Sequence, residues 1–362
     1  MKKIRVGILG STGVIGQKYA SILEGHPWFE ITYLAASPHS AGKKYSEALK
    51  GKWRMESAIP DGLKDLVVQD ANHVEKSVGK CDFIFSALEM GSEETRALEN
   101  KYAEVGFPVV SNCSAHRFTP DVPMVIPEIN PHHLNMIDVQ RKNHGWEKGF
   151  VVVKPNCSLQ SYLLPIHILR KNGYGVKNAI VTTMQAVSGA GSAGVSSLDI
   201  IDNVIPYISG EEEKSQNEPL KILGRIEGKT IVNDGAIKIS AHCNRVPVID
   251  GHLACVSIKF DDGPKIPDED EIINMWRKFR GAPQELDLPT APKPALVYFN
   301  EENRPQPRKD RNLSDGMAIS AGRLRKCEVF DYKFVCLSHN TIRGAAGGGV
   351  LNAELLHAKK YL

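Results

Sequence analysis

Cys157 is the residue in this chain best placed to act as a nucleophile. It follows Val151-Val152-Val153-Lys154-Pro155-Asn156, where three β-branched residues predict the end of a buried strand and Pro155 stops it. It precedes an apolar run through Leu163, Leu164, Ile166 and Leu169 at helical spacing. Between a strand end and a helix N-terminus, the helix dipole and free backbone N–H groups favour the thiolate, the nucleophilic form of cysteine. The competing reading is a small buried cysteine that only packs. Arg117 comes just past a strand at 107–112, at the ligand crevice of an open parallel sheet, where a guanidinium can grip an anion in bidentate fashion. Its alternative is a surface ion pair. Glu211 and Lys214, in Gly210-Glu211-Glu212-Glu213-Lys214, share a helix face at i and i+3, which by itself fits a solvated pair.

The chain opens with a second chemical signal. Residues 4–9 form a short β-branched strand that leads into Gly10-Ser11-Thr12-Gly13-Val14-Ile15-Gly16 and then into 17–23 at helical spacing. Gly10 allows the tight turn, Gly13 the close approach of backbone to a pyrophosphate, and Gly16 the packing of helix on strand. Strand, glycines and helix in that order predict dinucleotide binding, against a merely tight turn. The next strand, 31–36, ends in Ser37-Pro38-His39-Ser40-Ala41-Gly42-Lys43-Lys44, where an NAD site would place an acid for the ribose diol. Ser37, Ser40, His39 and the lysines instead suit the roughly −1.5 to −2 charge of a phosphate monoester, so the predicted cofactor is NADP. A solvated polar loop is the alternative.

These groups need elements to hold them. A length of 362 residues fits two domains, and 42% hydrophobic with 24% charged residues is ordinary for a soluble globular protein. The net charge of +3, without a block of five basic residues, argues against nucleic acid or an anionic membrane as partner. Met1-Lys2-Lys3-Ile4-Arg5 runs straight into a strand with no apolar leader, and no stretch approaches about 18 apolar residues, which predicts a cytoplasmic protein. Seven cysteines without CxxC spacing speak against a disulfide framework and a structural zinc site, and no metal is expected. Strands at 81–88, whose end meets the cofactor, and 107–112, with a crossover helix at 93–105, complete a doubly wound parallel sheet. The Pro-rich passage 120–131 leads out of it.

The second half is richer in strands. Residues 179–184 form one, ending in a glycine-rich loop at 185–194 that no βαβ unit follows. Residues 236–241 alternate like a half-buried strand and run into Cys243-Asn244-Arg245-Val246-Pro247-Val248-Ile249-Asp250-Gly251-His252, and 253–260 has period two. An α+β domain on a mixed or antiparallel sheet is predicted. After Ser338-His339-Asn340, the small residues at 344–349 open an apolar helix expected to return to the first domain. The division is then 1–155 for NADP binding, 156–337 for catalysis and dimerisation, and 338–362 for the returning helix.

Taken in order, GSTGVIGQ, SNCSAHRF, PNCS, MQAVSGAG, GEEEK, CNRVPVIDGH and NTIRGAAGGG make the chain resemble the aspartate-β-semialdehyde dehydrogenase family, in particular its archaeal and fungal branch, over nearly the full length. The resemblance implies NADP-dependent interconversion of aspartyl phosphate and aspartate semialdehyde in the biosynthesis of lysine, methionine and threonine. It also implies a second domain like that of glyceraldehyde-3-phosphate dehydrogenase, and a homodimer or homotetramer. By motif, Cys157 would form the acyl-enzyme, Gln185 would orient the substrate and His252 would be the acid/base catalyst. Arg245 would hold the substrate α-carboxylate and Glu211 its ammonium, with Lys214 and Arg117 on phosphate and Asn112 among the substrate contacts. Ser86, Ser188, Gly189, Asn340 and Gly347 would join residues 10–16, Ser37 and Ser40 around the cofactor.

The chemistry agrees with those roles. Oxidising an aldehyde to an acyl phosphate needs an adduct from which hydride can leave, and a thiolate both forms it and leaves a thioester that phosphate can attack. A histidine with an ordinary pKa of about 6.5 could take the proton of the collapsing adduct. A carboxylate and an inorganic phosphate call for two cationic groups, and Arg117, Lys214 and Arg245 supply three. Cys113 and Cys243 depart from the family pattern, and either could sit near the site. A malonyl-CoA reductase also uses a cysteine thioester, but its substrate lacks the ammonium for Glu211. An N-acetylglutamyl-phosphate reductase fits the Glu-Glu-Glu-Lys and Arg-x6-His arrangement less well, and a non-catalytic NADP sensor would not need Cys157, Gln185 and His252 together.

Overall fold

The computed structural model describes residues 2–191, 193–263 and 265–362; Met1, at the start of the predicted NADP-binding domain, Ser192, in the glycine-rich loop, and Pro264 lie outside the described residues. Six parallel strands make the first sheet: β1 (Ile4–Leu9), β2 (Phe29–Ala36), β3 (Gln69–Asp70), β4 (Phe83–Ser86), β5 (Pro108–Ser111) and β6 (Phe150–Val153), in the order β3-β2-β1-β4-β5-β6. Their short apolar runs are buried throughout β4, β5 and β6, as a parallel sheet covered on both faces requires. The strand order reverses between β1 and β4. A crevice opens there beyond the strand ends, the usual ligand position in this architecture. The helix Ser92–Glu104 makes the crossover from β4 to β5.

The second sheet is mixed. It comprises β7 (Val176–Gln185), β10 (Lys238–Arg245), β11 (His252–Phe260), β12 (Leu296–Phe299), β13 (Ile319–Lys326) and β14 (Tyr332–Ser338), ordered β10-β7-β11-β14-β13-β12, while β8 (Arg225–Glu227) and β9 (Thr230–Val232) pair separately. β7 and β10 run parallel, and β11 is antiparallel to both β7 and β14. Period two along β11 buries Ala254, Val256 and Ile258 on one face and leaves Cys255 and Lys259 exposed on the other. The buried face packs on the helices Gln160–Lys171 and Glu269–Lys278, with Tyr162, Leu163 and Trp276 in the shared core.

The last helix, Ala346–Ala358, is buried from Ala346 to Leu356, and it shares a core cluster with Val6, Ile8, Tyr19 and Phe85 of the first sheet's side. Its glycines let it approach closely: a Cβ added to Gly349 would fall 1.9 Å from the Tyr19 hydroxyl. Glu354 on this helix accepts from His26 Nε2 at 2.9 Å and from the Thr290 hydroxyl at 3.0 Å, tying three segments at a buried point. Among the described residues, no helix is long and apolar enough to cross a membrane, and no group of three or more His, Cys, Asp or Glu could hold a metal ion.

Candidate active site

Cys157 sits in a short turn between β6 and the helix Gln160–Lys171, three residues ahead of the helix itself. The turn is bolted down by Asn156. Its Oδ1 accepts from the Ser158 N–H and hydroxyl at 2.8 and 2.7 Å, and its Nδ2 donates to both Glu211 oxygens at 2.9 and 3.1 Å. From the other side Gly344 presses on the nucleophile: a Cβ there would lie 2.8 Å from the Cys157 Cβ. The thiol is partly exposed, facing a cavity of about 160 Å³ lined by Asn112, Arg117, Ser188, Gly189, Asn340 and Thr341, among others.

His252, the first residue of β11, places Nε2 3.4 Å from the Cys157 Sγ. The Ala186 N–H donates to its Nδ1 at 3.0 Å, so a neutral ring carries its proton on Nε2, facing the sulfur. The electrostatics differ from the sequence expectation on both members of the pair. Burial, with help from Glu211, pushes the Cys157 thiol up to about 11, against the pull of Lys154, Arg117 and Arg245. The helix-terminus effect does not win here because desolvation of the thiolate outweighs it. Burial and the nearby Arg245 push His252 down to about 3, so the imidazole is held neutral rather than poised near its ordinary value.

Gln185 ends β7 and is buried; its Nε2 donates to Glu211 Oε2 and to Thr183 Oγ1, each at 3.3 Å. Arg245 ends the adjacent β10, with Nη1 donating to the Ala186 carbonyl at 2.8 Å beside Gly189. Parallel pairing of Arg245 with Gln185 is what brings these two side chains to one edge of the sheet. Glu211 opens the helix Glu211–Ile222, where the dipole favours a carboxylate. Lys214 pairs with it at 2.9 Å, and the lysine side chain is 32% exposed and that of Glu211 9%, so this is a half-buried pair at the site rather than a solvated one. Arg117 is not a surface ion pair: it is buried against Glu218 at 2.9 Å, with Nε on the Lys154 carbonyl and Nη2 on the Asn112 carbonyl. Asn112 donates to the Tyr19 hydroxyl at 2.7 Å. Neither Cys113 nor Cys243 lines the cavity at Cys157, and burial pushes both thiols up.

A second cavity, of about 380 Å³, runs from Gly10, Thr12 and Gly13 to Ser37, His39, Ser40 and Lys52. Gly10 has φ +74°, and an added Cβ would lie 2.2 Å from the Ala87 carbonyl oxygen; at Gly16 one would lie 2.3 Å from the Gly10 oxygen. These positions must be glycine for the loop to turn tightly against the end of β4 and for the helix to start packed on the loop. Val14 and Ile15 line the smaller cavity with Cys157, which marks the end of the loop nearest the chemistry. The residues present fit a dinucleotide lying between the two cavities.

The cofactor residues expected from the sequence do not all line these two cavities. The Ser11 hydroxyl is buried with no partner among the described residues, and Ser86 is buried with its Oγ 3.6 Å from the Cys113 sulfur; neither lines either of these two cavities. Ser188 and Asn340 do line the smaller cavity, and they also tie the loops around His252: Ser188 donates to Asp250 at 2.7 Å and accepts from Asn340 at 2.8 Å, while Asn340 accepts from the Gly251 N–H. Gly347 lines a separate cavity with Ile22, Thr290 and Met317, because the helix turns it away from Cys157. Lys44 is taken by Asp65 at 2.8 Å and Lys43 by the His39 carbonyl at 3.0 Å. The lysine that does line the larger cavity is Lys52, which sequence reasoning missed. Gln17 holds that segment: its Nε2 donates to the Thr12 and Lys52 carbonyls at 2.9 and 3.1 Å, and its Oε1 accepts from the Arg54 N–H at 2.8 Å.

Comparison with known proteins adds an independent line. A family model described as the semialdehyde dehydrogenase NAD-binding domain matches residues 5–137, and one described as the semialdehyde dehydrogenase dimerisation domain matches residues 166–343. Aspartate-semialdehyde dehydrogenase of Archaeoglobus fulgidus is 45% identical over 359 residues, covering 99% of each chain. That of Cryptococcus neoformans is 42% identical, covering 98% of this chain and 96% of the relative. A crystal structure of aspartate-semialdehyde dehydrogenase with NADP from Candida albicans superposes with a TM-score of 0.89 at 38% identity, covering all of both chains.

Proposed function

This chain belongs to the aspartate-semialdehyde dehydrogenase family, and we propose that it works through a thioester on Cys157. It is an NADP-dependent oxidoreductase of aspartate-family amino-acid biosynthesis, interconverting L-aspartate 4-semialdehyde plus phosphate and 4-phospho-L-aspartate. The observation that carries the cysteine mechanism is the 3.4 Å approach of Cys157 Sγ to His252 Nε2 at a cavity lined by Arg117, with Arg245 beside its Gly189 wall.

In the oxidative direction the Cys157 thiol gives up its proton to solvent and the thiolate adds to the aldehyde carbon, while the carbonyl π pair becomes an alkoxide; the thiolate that leaves at the end takes up the phosphate's proton, restoring the thiol. His252 donates its Nε2–H first toward the thiolate and then toward that oxygen, holding the developing charge from a buried ring. When bound, NADP supplies the hydride acceptor; Gly10, Gly13, Thr12, Ser37, Ser40 and Lys52 would hold it. Loss of hydride lets the C=O reform as a thioester. Phosphate then attacks that carbon, the sulfur leaves as thiolate, and one proton is released per turnover. Arg245, beside Gly189 and His252, suits the substrate carboxylate, and Glu211, fixed by Gln185 and Asn156, suits its ammonium. Arg117 and Lys214 suit the phosphate.

The finer assignments follow the same reading. We place the domain limits at 1–155, 156–337 and 338–362, supported by the packing of the last helix in the first domain's core cluster. A homodimer or homotetramer is supported by the uncovered sheet face at Ile180 and Cys255 and by the exposed apolar side chains of Leu198, Ile201, Tyr207 and Ile249. The seven cysteines are free thiols, in keeping with a cytoplasmic setting. The test is a phosphorolysis assay with aspartate semialdehyde, phosphate and NADP: phosphate-dependent NADPH formation is expected. Turnover of malonyl-CoA with none of aspartate semialdehyde would contradict the reading.

A further inference from the structure

Glu218 lies two turns along the helix from Glu211, is fully buried, and is used by none of the steps above. Its two carboxylate oxygens serve different parts of the site. Oε1 accepts from Arg117 Nη1 at 2.9 Å, and Oε2 accepts from the backbone N–H of Asn156 at 2.6 Å. One rigid group therefore spans the arginine of the anion site and the turn that carries the nucleophile. Lys221, one turn further on, donates to the carbonyls of Arg117, Thr119 and Val122 at 2.7 to 2.9 Å, so the same helix face also fixes the backbone behind that arginine.

A fold-holding role alone does not need this arrangement. Burying an ion pair costs desolvation, and apolar residues of similar volume commonly join two elements at least as well. What a carboxylate adds is direction. Arg117 is held at Nε by the Lys154 carbonyl, at Nη2 by the Asn112 carbonyl and at Nη1 by Glu218, which fixes the guanidinium plane and leaves two of its five N–H groups uncommitted among the described residues. The Asn156 N–H is fixed by the same carboxylate, one residue before Cys157.

We propose that Glu218 is a positioning residue that sets the Arg117 guanidinium and the Asn156–Cys157 turn at a fixed separation, so that the incoming phosphate and the thioester carbon meet in register. The phosphate half rests on the reading of Arg117 as a phosphate ligand, whereas the nucleophile half does not. Glu218→Gln keeps the shape but offers one acceptor and one donor where two donors face it. Two readouts separate the halves: the rate at which iodoacetamide alkylates Cys157 across pH without substrate, located by peptide mass mapping, and the phosphate dependence of phosphorolysis.

The proposal expects Glu218→Gln to slow Cys157 alkylation at least about threefold and to lower kcat/KM for phosphate by about tenfold or more, with the NADP dissociation constant unchanged. Glu218→Asp, which keeps the charge but cannot reach both partners, should move both readouts the same way by less, and it stands in if the glutamine variant does not fold. Alkylation of either folded variant at the wild-type rate would overturn the proposal. So would a parallel loss of NADP affinity and thermal stability with an unchanged pH profile, the mark of a purely structural role. Arg117→Ala is the control: an unchanged phosphate KM there would remove Arg117 as phosphate ligand while leaving the alkylation readout to decide on Glu218.

Discussion

At Cys157 two influences oppose each other: burial, with help from Glu211, pushes the thiol up to about 11, while Lys154, Arg117 and Arg245 pull it down. Because only the thiolate reacts, alkylation of Cys157 should rise with pH into the alkaline range. Arg245→Met should move that midpoint further up by removing a cation, whereas Lys154, itself pushed down to about 7 by burial, is already neutral in that range; an unchanged midpoint would show Arg245 to be a bystander. The two anion sites should separate by mutation. Arg245→Lys should impair both directions, since an ammonium cannot reproduce the guanidinium fork, whereas Lys214→Ala should raise the KM for phosphate and aspartyl phosphate and spare that for the semialdehyde. Each loss is worth about 1.5–3 kcal/mol, roughly ten- to a hundred-fold in kcat/KM. Lys52→Met should raise the KM for NADP with little effect on NAD, and equal effects on the two would rule out a 2′-phosphate contact. Cys157 was legible in the sequence as a cysteine between a strand end and a helix start, whereas His252 was pointed to only by the family resemblance. Lys52 was not legible, since it sits in an exposed loop and is held near the Gly-rich loop by Gln17, 35 residues earlier. Nor was the loss of Lys44 to Asp65, a contact set by tertiary folding.

At the scale of elements, the turn holding Cys157 is gripped from three sides, by Asn156 on Glu211, by Glu218, and by the segment at Gly344. Gly344→Ala would place a methyl 2.3 Å from the Asn340 carbonyl oxygen and 2.8 Å from the Cys157 Cβ. The turn must then move, and activity should fall by about a hundredfold or more, because a displacement of about 1 Å at a reacting atom is that costly. NADP binding, measured by fluorescence titration, should survive, since the larger cavity lies elsewhere; equal loss of both would instead indicate general unfolding. The first βα unit and β11 were legible because glycine spacing and period two are local signals. The position of Gly347 was not: which side of a helix buried all round faces a ligand depends on the crossing of that helix with Val14–Ile22, and no periodicity records it.

For the molecule as a whole, alternation of strands and helices followed by strand-rich sequence was enough to anticipate a doubly wound sheet joined to a mixed one, because those patterns follow from how each sheet is covered. The protonation state of the interior was not anticipated. Burial holds His116, His133 and His339 down to about 4 and His252 to about 3. A folded-state value below the ordinary 6.5 means that the unfolded chain binds more protons. The stability from these neutral rings is thus present above about pH 6.5 and lost as pH falls toward 4, at up to roughly 1.4 kcal/mol per pH unit for each ring. Urea midpoints measured between pH 7.5 and 4.5 should fall steadily below 6.5, and a flat profile would contradict the buried neutral state. The central claim, a thioester on Cys157, is tested most directly by mixing the enzyme with NADP and aspartate semialdehyde without phosphate, quenching in acid and mapping peptide masses. The mechanism predicts a burst of up to one NADPH per subunit and an aspartyl adduct on the peptide holding Cys157. A burst with the adduct on Cys113 or Cys243, or steady turnover with no adduct on Cys157, would contradict it.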